Sequence, residues 1–275
     1  MIRLGITSST LGNPPFPELV RAVAAGGFEL LAVWPAADRL AAHAAGLTDA
    51  DLRAVLEHHG VIVRDIDALV VWVGPDDPGG PYFEEPTQQE CFETGEALGA
   101  THLNVLLTGP ATGDLDAAAE VFAGVCERAS RHGLTCTLEF SPTREPASAA
   151  GALEILRRSG RTEAGLCIDT WHHHWGPDDV TDLERLPGER IQIVQVNDAP
   201  AVRPADYGHA TRYERLVPGD GAIDLAAIVR AVRSTGSQAP FIAEIFNADL
   251  VAMGPPDVVA RHVGDRMREL MARPR

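Results

Sequence analysis

The chain has no lysine: all 23 basic residues are arginine. Schiff-base chemistry on a lysine amine, a phosphate-binding P-loop lysine and a kinase-type lysine are excluded together. Positive charge is scarce too. Against those 23 stand 39 acidic residues, a formal net charge of −16. Nucleic acid and anionic membrane need the opposite, a clustered basic face, so neither is an expected partner. The four cysteines (Cys91, Cys126, Cys136, Cys167) show no C-x-x-C spacing, which leaves a buried, reduced set of the kind found in the cytoplasm. Long apolar runs are missing: stretches such as Ala68–Val73 fall far below the roughly 18 residues of a membrane span. Met1–Gly5 leads straight into a strand-like run without a signal-peptide layout. The expectation is a soluble, cytoplasmic protein.

What the chain does have is alternation. Short runs rich in Val, Ile, Leu and Thr predict strands at Arg3–Ser8, Glu29–Trp34, Val61–Ala68, His102–Leu107, Thr135–Phe140, Gly165–Thr170, Ile191–Asn197 and Phe241–Phe246. Helical patterns follow them at Pro17–Ala25, Asp49–His59, Gln88–Leu98, Leu115–His132, Ala147–Arg157, Val180–Leu186, Leu225–Val232 and Pro256–Met271. Thr48 reads as an N-cap and Gly60 and Gly99 as helix stops. Parallel βαβ units result. After the first strand the turn reads Ser8-Ser9-Thr10-Leu11-Gly12-Asn13-Pro14, with no G-x-G-x-x-G, which argues against an open dinucleotide-binding sheet. Eight repeats in 275 residues predict an α/β fold, one (β/α)8 TIM barrel in which residues 1–275 form a single domain. Two long connections, Gly74–Glu90 and Ala199–Gly221, leave the C-terminal ends of the third and seventh strands, where barrel active sites lie. The first is a candidate lid.

Four polar residues interrupt the apolar strands near those ends: Glu139, Asp169, Gln195 and Glu244, on the fifth to eighth strands. Neighbouring staves of a closed barrel bring them to one mouth. Three buried carboxylates repel one another unless a cation sits among them, and those strands carry no basic residue except Arg190 at the start of one. A divalent metal is the simplest partner. Oxygen donors without cysteine suit Mn²⁺ or Mg²⁺, with Co²⁺ an alternative, better than zinc. For Asp169 alone, a helix N-cap role explains the residue equally well.

The wording of these segments (Leu-Glu-Phe at Glu139, Cys-Ile-Asp-Thr-Trp-His at Asp169, Val-Gln-Val-Asn-Asp-Ala-Pro at Gln195, Pro-Gly-Asp-Gly-Ala-Ile-Asp at 218–224, Ala-Glu-Ile-Phe-Asn at Glu244) resembles the xylose-isomerase-like TIM-barrel superfamily. That group holds sugar and sugar-phosphate isomerases and epimerases, hydroxypyruvate isomerase, inosose dehydratase and barrel-type 3-dehydroshikimate dehydratases. The resemblance implies Glu139, Asp169, Gln195 and Glu244 as metal ligands, with Glu139, Glu244 and His172 catalytic. It implies substrate contacts from His172, Arg215 (preferred over Arg212) and Glu145, and a place in carbohydrate metabolism. Many members have His at the position of Gln195; Gln occurs there in hydroxypyruvate isomerase and in one group of dehydroshikimate dehydratases. Endonuclease IV shares the barrel, but its three-zinc site needs histidines on earlier strands, where this chain has only His102.

Other residues carry paired readings. Trp171 walls a substrate pocket or packs in the core. His102 and Asn104 share a face of the fourth strand by alternation and either line the lumen toward substrate or form a satisfied core pair. Asp65 and Asp67 share a face of the third strand in the same way, and either one of them bonds a substrate hydroxyl or they are solvated or N-capping residues. Arg212 and Arg215 bind a carboxylate or phosphate, or make salt bridges with Glu214 or Asp220. The expectation is a metal-dependent isomerase or epimerase of a small polyhydroxylated carbonyl compound, acting through an enediolate. The alternatives are a dehydratase (lyase) of the 3-dehydroshikimate or inosose type and a non-catalytic metal-binding barrel. A homo-oligomer is left open.

Overall fold

In the computed structural model, residues 2–74, 86–109 and 113–272 are described. Residues 75–85, most of the expected lid, lie outside them. Eight strands run β1 (Leu4–Thr7), β2 (Leu30–Val33), β3 (Ile62–Trp72), β4 (His102–Thr108), β5 (Thr135–Glu139), β6 (Gly165–Asp169), β7 (Ile191–Val196) and β8 (Phe241–Ala243). They close in sequence order into a barrel, with β1 paired to both β2 and β8 and every pairing parallel. This is the expected (β/α)8 barrel.

Side chains on the outer face of the strands, such as Leu103, Val105, Leu138 and Val194, pack against the helical layer in one large core. A separate small cluster of Ala32, Cys167, Ile193 and Ile242 fills the lumen. Since side chains alternate along a strand, the residues two further on from Cys167, Ile193 and Ile242 face the same lumen one layer higher. Those residues are Asp169, Gln195 and Glu244, and Glu139 stands above Thr137 in the same way. The lower layer is mostly apolar, with Thr137 its polar member, and the charged side chains collect at the C-terminal mouth.

The helices end as their sequence signals dictate. Thr48 and Asp51 form a capping box on helix Asp49–His59, and Gly60 closes it at φ 66°, a conformation that favours glycine. Thr87 and Glu90 do the same for Gln88–Leu98. All four cysteines are buried, and none of them forms a disulfide. Two differences from expectation bear on the site. First, β3 runs to Trp72 instead of ending at Ala68; its pairing with β4 shifts between Ile66 and Leu69, which breaks the simple alternation. Second, short helices at Thr170–Trp175 and Tyr207–Tyr213 follow β6 and β7.

Candidate active site at the barrel mouth

Glu139 and Asp169 end their strands, Gln195 is one residue from the end of β7, and Glu244 directly follows β8. The first three are tied by register: Glu139 lies opposite Cys167, and Asp169 opposite Gln195. All four side chains are buried, at 5%, 0%, 1% and 3% exposure respectively. Such packing of three carboxyl groups demands compensation.

Part of that compensation is an arginine that lies off those strands. Arg215, from the connection after β7, is only 2% exposed. Its Nη1 lies 2.9 Å from Asp169 Oδ2 and 2.7 Å from Glu244 Oε2. Its Nε donates to the Thr211 carbonyl at 2.9 Å, and its guanidinium stacks 4.8 Å from the Phe246 ring centre. Burial opposes the charge on Arg215, but Asp169 and Glu244 outweigh it and raise the guanidinium pKa. Burial likewise pushes Asp169 up, yet Arg215 and His172 outweigh it and hold the carboxyl below its ordinary value. At Glu244, burial and then Asp67 win, and the carboxyl is raised well above its ordinary value despite Arg215.

Asp198 seats the loop that delivers Arg215. Its carboxylate accepts backbone N–H groups from Ala199, Gly219, Gly221 and Ile223 at 2.8–3.0 Å, and Leu216 pairs with it in an antiparallel bridge. A Cβ at Gly221 would lie 2.3 Å from the Ala199 carbonyl and 2.4 Å from Asp198 Oδ1. Only glycine lets the turn close this tightly.

Asp169 fills the helix-capping role expected of it and also presents an oxygen to the mouth. Oδ1 caps the helix Thr170–Trp175 by accepting from the Trp171 N–H at 2.8 Å, and it also accepts from Asn197 Nδ2 at 2.8 Å. Oδ2 accepts no hydrogen bond; its ion pair with Arg215 is a contact of charge without hydrogen-bond direction. Gln195 Oε1 is likewise buried without a partner. Buried oxygens in this state are rare in folded proteins. Two of them beside two further carboxylates match the oxygen-donor set of a hard dication, so the residues present fit one. Glu139, Asp169 and His172 also offer one ligand atom each within 4.8 Å of one another.

His172 is held from behind. The Tyr207 hydroxyl lies 2.6 Å from its Nδ1, while Nε2 faces Glu139 Oε1 at 3.3 Å and Asp169 Oδ2 at 3.8 Å. Burial, and then the charge of Asp169, push the Tyr207 phenol well above its ordinary pKa, so the hydroxyl keeps its proton. The assignment that satisfies both ends has the phenol donating to Nδ1 and Nε2–H pointing at the carboxylates. Tyr207 carries no motif; only its place in a long connection after β7 could have drawn attention to it.

The remaining expected contacts divide. Asn104 joins the cluster, donating to Glu139 Oε2 at 2.5 Å and Asp67 Oδ1 at 2.9 Å. His102 does not: it begins β4, opposite Thr135 and Asp65, and bonds Arg64 and Thr101 at the N-terminal end of the barrel. Alternation places a side chain on a face but says nothing of its height along the strand. Trp171 is fully buried and bonds Thr211 at 2.9 Å while packing against Tyr207 and Trp175. It backs the site and presents no surface to a ligand, which corrects the wall reading. Glu145 accepts the Gly113 N–H at 3.1 Å. Arg212 is exposed and, with Ser9, Asn13, Trp34, Tyr213 and Phe246, lines a cleft of about 390 Å³ at the mouth. Trp34 and Phe246 meet edge to face there, 6.3 Å apart.

A closed parallel barrel whose last four strands aim three carboxyl groups and a carboxamide into its mouth defines a class of barrel with a candidate metal centre. Residues 19–270 match the model of the xylose isomerase-like TIM barrel family, and the chain belongs to that family. Inosose isomerase of Bacillus velezensis is 26% identical over 208 residues, 73% of this chain and 72% of that protein. A 3-dehydroshikimate dehydratase of Pseudomonas aeruginosa is 32% identical over 124 residues, covering 45% of this chain but 19% of that protein's length. Among solved structures, the IolI protein with a bound zinc atom superimposes with a TM-score of 0.84 at 19% identity, covering 98% of both chains. The curated relatives it matches are enzymes, isomerases and dehydratases. Among the described residues, no helix is long and apolar enough to cross a membrane.

Proposed function

We propose that this chain is a divalent-metal-dependent isomerase or epimerase of a small polyhydroxylated carbonyl compound. Glu139, Asp169, Gln195 and Glu244 would hold one Mn²⁺ or Mg²⁺, or alternatively Co²⁺. The observation that supports this most is the pair of buried oxygens that accept no hydrogen bond, Asp169 Oδ2 and Gln195 Oε1, where the carboxylates converge. When bound, such an ion polarises a substrate carbonyl and offsets negative charge as the neighbouring carbon loses its proton.

The chain's own groups do the rest. Glu139 or Glu244 takes the proton from the carbon α to the carbonyl, and the enediolate is reprotonated at the adjacent carbon (isomerisation) or on the opposite face (epimerisation). His172, with Nε2–H turned toward the cluster, donates to a substrate oxygen during that transfer. Arg215 holds positive charge at the mouth, and Trp34 and Phe246 give a ring or carbon chain an apolar wall. Arg212 and Glu145, at the rim, complete the contacts proposed for the substrate.

A second reading, elimination of a β-hydroxyl with His172 as acid, is favoured by the 32% identity to a 3-dehydroshikimate dehydratase. Both begin with the same proton removal. Incubation with Mn²⁺ in D₂O across ketoses, inososes and 3-dehydroshikimate separates them. Deuterium in recovered or rearranged substrate supports the isomerase; a new ultraviolet-absorbing enone or catechol supports the lyase. Mn²⁺ binding with neither deuterium incorporation nor an absorbing product anywhere in the screen would leave a binding barrel.

A further inference from the structure

Asp67 takes no part in the proposed ligand set, yet it is 1% exposed and lies under it. Both of its oxygens are used. Oδ2 accepts from Gln195 Nε2 at 2.7 Å, and Oδ1 accepts from Asn104 Nδ2 at 2.9 Å. Gln195 Nε2 also donates to Glu244 Oε1 at 3.1 Å. The amide nitrogen of Gln195 is therefore engaged by two carboxylates, and its oxygen is left buried without a partner.

A carboxamide has one donor end and one acceptor end, whereas an ionised carboxylate only accepts. Asp67 can meet Gln195 only through the NH₂ group, and this fixes which end of the side chain faces the mouth. We infer that Asp67 is the positioning residue that turns the Gln195 amide oxygen toward the dication. The inference rests on the metal-site reading above and extends it to a residue outside the ligand set. Groups beneath a metal that orient its ligands commonly matter for affinity.

The network also says which amide yields if Asp67 changes. Asparagine at this position has the shape of aspartate but presents one NH₂ group, so one of its two partners must turn its oxygen toward it. Asn104 is locked: its Oδ1 accepts from the Thr137 hydroxyl at 3.1 Å, and its Nδ2 donates to Glu139 Oε2 at 2.5 Å. Turning it would set oxygen against carboxylate and leave the hydroxyl without its acceptor. Gln195 also gives up a carboxylate partner on turning, Glu244, but through a longer bond of 3.1 Å, and its oxygen holds no donor that would be stranded. It is the one that flips, and its NH₂ then faces the metal.

The test is Mn²⁺ titration of the full chain at pH 8, followed by calorimetry and by the electron paramagnetic resonance signal of free Mn²⁺. Asp67→Asn should bind about 10–100-fold more weakly than the wild type, and Glu139→Gln serves as a ligand-loss control. The exchange Asp67→Asn with Gln195→Glu keeps the total charge. It restores an oxygen at both ends of residue 195, one for the new NH₂ and one for the ion, and should recover most of the affinity. Weak binding by the single variant with recovery in the exchange supports the inference. Wild-type affinity in Asp67→Asn, while Glu139→Gln binds poorly, overturns the role of Asp67 but not the metal site. Equal losses in the single variant and the exchange mean that Asp67 merely supports the fold, which also overturns it. No Mn²⁺ binding by the wild type removes the site and the inference together.

Discussion

Replacing Arg215 by Gln removes a cation that two buried carboxylates share. Its Nη1 lies 2.9 Å from Asp169 and 2.7 Å from Glu244, and the three side chains are almost inaccessible to water. Breaking a buried pair from one side costs ~3–5 kcal/mol, because the remaining charge has neither water nor a counter-ion. At ~2–3 °C per kcal/mol for a chain of this length, the metal-free variant should melt ~6–15 °C below the wild type near pH 8.

The pH dependence identifies the cause. In the wild type, the Asp169 carboxyl is held below its ordinary value, mainly by Arg215 against burial. Such a group contributes stability that is present above its unfolded pKa and lost as the pH falls through the folded one. Without Arg215, burial dominates, Asp169 rises, and its contribution turns into a cost that grows with pH. The gap between the two proteins should therefore be wide at pH 8 and narrow toward pH 4. Mn²⁺ should raise the melting temperature of the variant by more than that of the wild type, since no guanidinium then repels the ion. Differential scanning fluorimetry across pH, with and without Mn²⁺, is the assay. Equal melting temperatures at pH 8, or a gap of the same width at every pH, would refute charge compensation by Arg215.

Three further outcomes follow from the geometry. Asp38 is buried and accepts from the Ser8 hydroxyl and the Trp34 N–H, both at 2.7 Å, but burial outweighs them and pushes its carboxyl to about 7. A folded-state value raised from 3.8 to about 7 favours the native state below pH 4 and is lost as the pH climbs through 7, up to ~4 kcal/mol in all. Asp38→Asn should thus leave stability near pH 4 unchanged and raise it at pH 8 by as much as ~4 kcal/mol in urea unfolding; an equal effect at both pH values contradicts the assignment. Tyr207→Phe removes the donor to His172 Nδ1, so ¹⁵N spectra of the histidine should show Nε2–H in the wild type and a mixed or reversed tautomer in the variant; identical spectra mean the phenol does not set it. Asp198→Ala leaves four N–H groups of the Arg215 loop without their acceptor, two of them on the buried Ala199 and Ile223, at ~1–3 kcal/mol for each buried group before relaxation, and should expose residues 214–223 to rapid amide exchange while the strands stay protected. Protection of that loop at the wild-type level contradicts the role assigned to Asp198.

The strands of the barrel were legible because each is buried on both faces and reads as a short apolar run between glycine-ended helices. Glu139 and Glu244 stood out for the same reason, as charges amid residues that exclude water. Arg215 was visible as a residue but not as the counter-ion, since its position depends on a loop folded back by Asp198, and no periodicity in the chain encodes that. Asp67 was placed on the correct face of its strand, but its partner Gln195 lies 128 residues away, beyond the reach of local pattern. His102 shows the limit of alternation: the correct face, at the wrong end of the strand. Tyr207 was legible only as a member of a long connection, because a helix of seven residues inside a polar segment has too few positions to show a periodic face.

In the function proposed above, the oxygens of Glu139, Asp169, Gln195 and Glu244 share one dication. Anomalous diffraction at the manganese edge, from crystals grown with Mn²⁺, examines it directly. A single peak is expected within bonding distance of an oxygen from each of those four side chains, with His172 Nε2 outside the coordination sphere. A mouth without a peak, or an ion held by His172 while Gln195 and Glu244 point elsewhere, would contradict it.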